Sequence, residues 1–90
     1  MSDMNPPTIT IEDRTLTRAD IAALAGDEPV RLAGCTLDET KLAELDLTGW
    51  VFERCSLART DFGKSELELA RFVNCRGAFA LFSRANLEDA

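Results

Sequence analysis

CTLDETKLAELDLTGWVFER (residues 35–54), CSLARTDFGKSELELARFVN (55–74) and CRGAFALFSRANLEDA (75–90) align at steps of twenty, each opening on a cysteine. Inside that long period runs a shorter one. Leu or Phe returns every fifth residue at Leu32, Leu37, Leu42, Leu47, Phe52, Leu57, Phe62, Leu67, Phe72, Phe82 and Leu87, and only Gly77 interrupts the series. Two residues before each stands a second recurring position, mostly small: Cys35, Thr40, Cys55, Thr60, Ser65, Ala70, Cys75, Ala80 and Ala85 among them. A period of five fits neither the 3.6 of a helix nor the 2 of a strand, so amphipathic readings fail over residues 30–90. Self-similarity at a fixed period signals an all-β solenoid instead, with four fives closing one turn.

If each five-residue unit forms one side of a square coil, the Leu or Phe and the small residue before it point inward. The other three positions face water. Ala85-Asn86-Leu87-Glu88-Asp89, Thr60-Asp61-Phe62-Gly63-Lys64 and Cys55-Ser56-Leu57-Ala58-Arg59 then resemble the pentapeptide-repeat family. Its pattern is a small residue, Asp or Asn, Leu or Phe, a polar residue and a turn-tolerant one. The resemblance covers about two thirds of the chain and implies a right-handed quadrilateral β-helix, here of about three coils. The handedness is the family's, not a consequence of the spacing.

Ninety residues allow one small domain. A net charge of −6 without any basic run argues against direct binding to nucleic acid. No apolar run approaches a membrane span, and Met1–Pro7 lacks the features of a secretory signal, which leads to the expectation of a cytoplasmic protein without membrane contact. Residues 1–7 read as a disordered tail and residues 8–29 as an N-terminal cap for the 30–90 β-helix. In the cap, Thr8–Ile11 alternates like a strand, and Arg14-Thr15-Leu16 is expected to return against it as a β-hairpin. Thr17 then caps a short helix with Asp20 three residues on and Ile21 and Leu24 along one edge. Gly26 and Pro29 end it near Ala25.

Stacked coils turn the sequence into columns: Leu32, Phe52, Phe72; Leu37, Leu57, Gly77; Leu42, Phe62, Phe82; Leu47, Leu67, Leu87. Cys35, Cys55 and Cys75 share one column too. Parallel side chains do not converge on a tetrahedron, there is no histidine, and the sulfur geometry is poor for a disulfide, so reduced core thiols and no metal are expected. Two places break the pattern. Trp50 and Leu45 are large for the small inward position, so either that corner is distorted or Trp50 turns outward. At Gly77 the central position is empty, and Phe79 either swings inward or stays exposed.

Chemistry is thin. Without histidine or tyrosine, Ser and Cys nucleophiles lack their commonest base, and Glu66 and Glu68 have no evident pocket to perturb them. Phosphate-binding glycine motifs are missing; Gly34, Gly49 and Gly63 fall at repeat corners where a permissive backbone is useful. Neither an enzyme nor a cofactor is expected. The surface says more: the side carrying Leu47, Leu67 and Leu87 shows Asp46, Glu66, Glu68, Glu88 and Asp89 with no base, whereas the side of Leu32, Phe52 and Phe72 shows Arg31, Glu53, Arg54 and Arg71. Such segregation steers partners. The family resemblance implies a sharper expectation, an acidic DNA mimic that binds type II topoisomerase (DNA gyrase), modulating it or conferring antibiotic resistance. The competing expectation is an assembly module or a fragment of a longer β-helix without that activity, its acids serving solubility and guarding strand edges. Val73, Phe79, Leu81, Phe82 and Leu87 gather in the last coil, and a homodimer or end-to-end oligomer through that coil is expected.

Overall fold

The structure, a computed structural model, describes residues 9–25, 28–77, 79–82 and 85. Its elements are β1 (Ile9–Glu12), α1 (Arg18–Leu24), β2 (Val30–Ala33), β3 (Val51–Glu53) and β4 (Arg71–Val73). The strands form one parallel sheet in the order β1-β2-β3-β4. Leu32 pairs with Phe52 and Phe52 with Phe72, so each step between β2, β3 and β4 is twenty residues. Three shorter ladders repeat that step: Thr36–Ser56–Arg76, Lys41–Asp61–Leu81 and Asp46–Glu66. A mostly extended chain with four such ladders, five residues apart, is compatible with a β-helix-like path. Residues 30–49, 50–69 and 70–85 are called the first, second and third tiers below.

Why the chain bends every five residues is written in its dihedrals. Positive φ falls at Gly34, Glu39, Glu44, Gly49, Arg54, Arg59, Lys64, Leu69, Asn74 and Phe79, one per unit. At several of these corners the carbonyl of the inward Leu or Phe, two residues before the left-handed one, accepts from the N–H three positions on: Thr40 N–H to Leu37 at 3.2 Å, Thr60 to Leu57 at 3.1 Å, Ala70 to Leu67 at 3.0 Å. A left-handed non-glycine costs about 1–2 kcal/mol, so the corner bonds and the core must offset it at most units. Glycine relieves that strain at Gly34 and Gly49 only. At Gly63, expected to sit at a corner, the bend is taken by Lys64 instead, and the Gly63 N–H serves as a donor to Asp61 Oδ1 at 2.8 Å.

The columns expected from the spacing are present through Phe82. Phe52 and Phe72 stack with centroids 4.7 Å apart, Phe62 and Phe82 at 5.0 Å, and both pairs are 4° from parallel. The two stacks meet edge to face, Phe52 against Phe62 at 6.0 Å. Leu37, Leu42, Leu47, Leu57 and Leu67 complete the buried core; Leu87 lies outside the described residues. Trp50 also points inward, 1% exposed and stacked on Phe52, so the outward alternative does not hold. The same position in the tier above is the small, buried Ala70. Leu45 packs half-buried against the same core.

The expected hairpin is not formed. β1 pairs parallel to β2, Ile11 opposite Leu32, and Thr15 bridges Thr36 in parallel. The apolar alternation of Ile9 and Ile11 is satisfied by extending the long-range ladder below the first tier, which buries it better than a two-stranded ribbon at the surface. The helical part of the cap is formed. Thr17 and Asp20 make a capping box, and Ile21 is fully buried. Arg18 completes the cap. In the tiers above, the N–H of residue n donates to the carbonyl of n + 19, as Leu42 does to Asp61 and Phe62 to Leu81. Below the first tier the corresponding residues are helical, and the Arg18 guanidinium donates instead to the Lys41 and Ala43 carbonyls at 2.7 and 3.1 Å.

Candidate functional site

The Asp46–Glu66 bridge sets two acids on consecutive tiers, one strand spacing of about 4.8 Å apart along the ladder. Glu68 follows two residues later on the same side, half-buried. Neither 46–49 nor 66–69 contains a base. Glu88 and Asp89, the other expected members of this acidic side, lie outside the described residues. The sequence did not foretell a second job for these acids. Asp46 Oδ1 accepts from the Thr48 N–H and hydroxyl at 3.2 and 2.8 Å, closing the turn that leads to Gly49. Asp38 Oδ1 does the same across tiers, accepting from the Ser56 hydroxyl at 2.6 Å and the Ala58 N–H at 3.0 Å. For Asp46 the signal available in the sequence was an Asp directly before an inward Leu or Phe, with a polar or glycine residue after it; Asp38, which follows Leu37, lacks it.

Other sides are electrically quieter. Arg31 pairs with Glu53 across β2 and β3, and Arg59 reaches Glu39 at 3.3 Å between tiers. Arg54, Arg71 and Arg76 make no ion pair with the described residues. All three are exposed, and Arg54 and Arg76 line a hollow with Ser56 and Asn74. A second hollow opens between Thr15, Leu16 and the flank of α1 at Ala19 and Ala23. Glu66 and Glu68 line neither of these.

Among the described residues four large apolar side chains are exposed, and all stand in the third tier: Val73 at 40%, Phe79 at 78%, Leu81 at 56% and Phe82 at 37%. Phe79 thus stays outside at its left-handed corner and does not fill the inward position at Gly77.

The three cysteines are free thiols in one column. Each donates to a main-chain carbonyl of the tier below: Cys35 to Ile11, Cys55 to Leu32 and Cys75 to Phe52, at 3.4, 3.3 and 3.0 Å. Burial pushes the Cys55 thiol up from 9.0 to about 11, aided by the charge of its neighbours Cys75 and Cys35. Its proton is therefore held more tightly in the folded chain than in the unfolded one. Stability that is complete below about pH 9 should fall by about 1.4 kcal/mol per unit from there towards pH 11. Urea unfolding at pH 8 and pH 10 measures this, and Cys55→Ala should flatten the difference. An equal loss in wild type and variant would assign the pH dependence to other groups.

Comparison of the chain with protein-family models, with curated proteins and with solved structures finds no match.

Proposed function

We propose that this chain is a right-handed quadrilateral β-helix of the pentapeptide-repeat kind that works without catalysis, through contacts with other proteins. Its acidic side stands in for duplex DNA on a type II topoisomerase such as DNA gyrase. The observation that supports this most is the placement of Asp46 beside Glu66 on successive tiers, with Glu68 on the same base-free side. Duplex DNA carries one charge per roughly 1.7 Å of axis, and acids repeating at the strand spacing give a sparser column of the same sign. A surface of that kind attracts a cationic DNA-binding channel at long range and excludes nucleic acid itself.

A second reading, a purely structural or assembly module, is favoured by the local duty of Asp46 in closing its turn. One experiment separates the two. In a gyrase supercoiling assay, micromolar wild-type protein should inhibit the enzyme or protect it from a quinolone. The triple substitution Asp46→Asn, Glu66→Gln and Glu68→Gln keeps an acceptor oxygen at each position and should weaken the effect at least tenfold, the loss expected for several rim charges. Folded wild-type protein without effect at that concentration would leave the assembly reading standing.

A further inference from the structure

Arg54, Cys55, Ser56, Asn74 and Arg76 line a hollow of about 390 Å³ at the corner that follows β3 and β4. The period of twenty builds it. Asn74 stands one step above Arg54, both with positive φ, and Arg76 bridges Ser56 on the next ladder. The two arginines are therefore set diagonally across consecutive tiers. Main-chain bonds between those tiers fix both anchors: the Arg54 N–H donates to the Val73 carbonyl at 2.8 Å, and the Arg76 N–H to the Cys55 carbonyl at 3.0 Å. Side chains rooted in a bonded ladder are held more closely to one geometry than side chains on a loop.

The polar groups of the hollow differ in what they have left to offer. The Ser56 hydroxyl already donates to Asp38 Oδ1 at 2.6 Å, so its proton is committed, and that carboxylate oxygen also accepts from the Ala58 N–H. The side chains of Arg54, Arg76 and Asn74 make no hydrogen bond or ion pair with the described residues, whereas Arg31 and Arg59 are paired to Glu53 and Glu39. Acids outnumber bases sixteen to ten in this chain, yet no acid is among the lining residues. All three uncommitted side chains are donors: two guanidiniums, each with forked N–H pairs, and one amide. Two cations beside one hollow repel each other, and an anion between them reverses the sign of that interaction.

We propose that this hollow binds a phosphoryl dianion, held between the Arg54 and Arg76 guanidiniums with the Asn74 amide as a further donor. A carboxylate has two oxygens and fills one guanidinium fork. A phosphoryl group presents at least three acceptor oxygens, enough for both forks, and its charge of about −1.5 to −2 at pH 7 matches two arginines. The site stands on other ladders than Asp46 and Glu66 and does not rest on the gyrase reading. A null result with gyrase leaves it intact, and a null result here leaves the gyrase reading intact.

The test titrates the isotopically labelled full chain with inorganic phosphate and, separately, with O-phosphoserine, just above neutral pH and at constant ionic strength set with sodium chloride. The side-chain N–H signals of Arg54, Arg76 and Asn74 are followed by NMR. Saturable shifts, half complete at about 1 mM, are expected. Arg54→Gln and Arg76→Gln each remove one charged fork and should weaken binding about tenfold. Arg71→Gln removes an exposed charge that does not line the hollow and should change binding less than about twofold. Tighter binding of phosphoserine than of phosphate would make a phosphorylated protein side chain the occupant, and equal binding the free ion; either result upholds the site. No saturation by about 10 mM with protein whose circular dichroism is native would overturn the proposal. So would an equal loss in Arg71→Gln and the two hollow variants, which would assign the binding to overall charge.

Discussion

Phe52→Ala should destabilise the protein by about 3–5 kcal/mol, the range for removing a buried phenylalanine. Phe52 is fully buried, stacks on Phe72, meets Phe62 edge to face and lies against Trp50 at 6.1 Å. Its neighbours above and below belong to other tiers, tied at their own corners, and cannot collapse into the space without breaking a ladder. Small domains have roughly 5–15 kcal/mol in total, so this single change takes a large share of it. Chemical denaturation of wild type and variant checks the figure. Phe79→Ser, at an exposed corner, supplies the contrast and should stay within about 0.5 kcal/mol of wild type. A Phe52→Ala loss below about 1 kcal/mol would mean that the aromatic stack is not a tight core.

Deleting the single residue Lys64 should be worse still. Lys64 is the left-handed residue of its corner, exposed and without a buried contact of its own. Ordinary reasoning from burial would rate it dispensable. In a chain with a period of five, its removal moves every later residue one place along its side. Leu67 and Phe72 leave the inward position, Ala70 leaves the small one, and the partners twenty residues apart no longer meet. Loss of two large inward side chains alone costs about 4 kcal/mol at roughly 2 each. The broken ladders add to that, so the cooperative transition expected of wild type should vanish at 25 °C. Lys64→Ala, which preserves the count, should lose no more than about 1 kcal/mol. A deletion variant as stable as Lys64→Ala would show that spacing does not govern the fold.

The tiers were legible in the sequence because Leu and Phe carry most of the burial and return at a fixed interval. Only one inward side per unit needs a large apolar residue, which is why eleven of them suffice to show the register. The path of the first strand was not legible. Ile9 and Ile11 say that a strand exists, and short-range rules favour a hairpin, but the partner that buries them lies twenty-one residues on, Ile11 opposite Leu32. The role of Arg18 was hidden for a related reason: it answers carbonyls at Lys41 and Ala43 that only the three-dimensional path leaves unpaired. Trp50 could not be placed from its size alone. It is buried against Phe52. The corners were also obscure, since Glu39, Glu44, Lys64, Leu69 and Phe79 give no hint in their chemistry of a positive φ. On the acidic side, the twenty-residue step sets Asp46 opposite Glu66. The sequence did not reveal that the Asp46 carboxylate also holds a turn.

The most direct test is a nuclear Overhauser map of the isotopically labelled chain in solution. Contacts across one twenty-residue step are predicted between Lys41 and Asp61, Asp46 and Glu66, Ser56 and Arg76, and between the rings of Phe52 and Phe72. Sequential helical contacts at three residues' separation throughout 30–77, with those four pairs silent, would contradict the account.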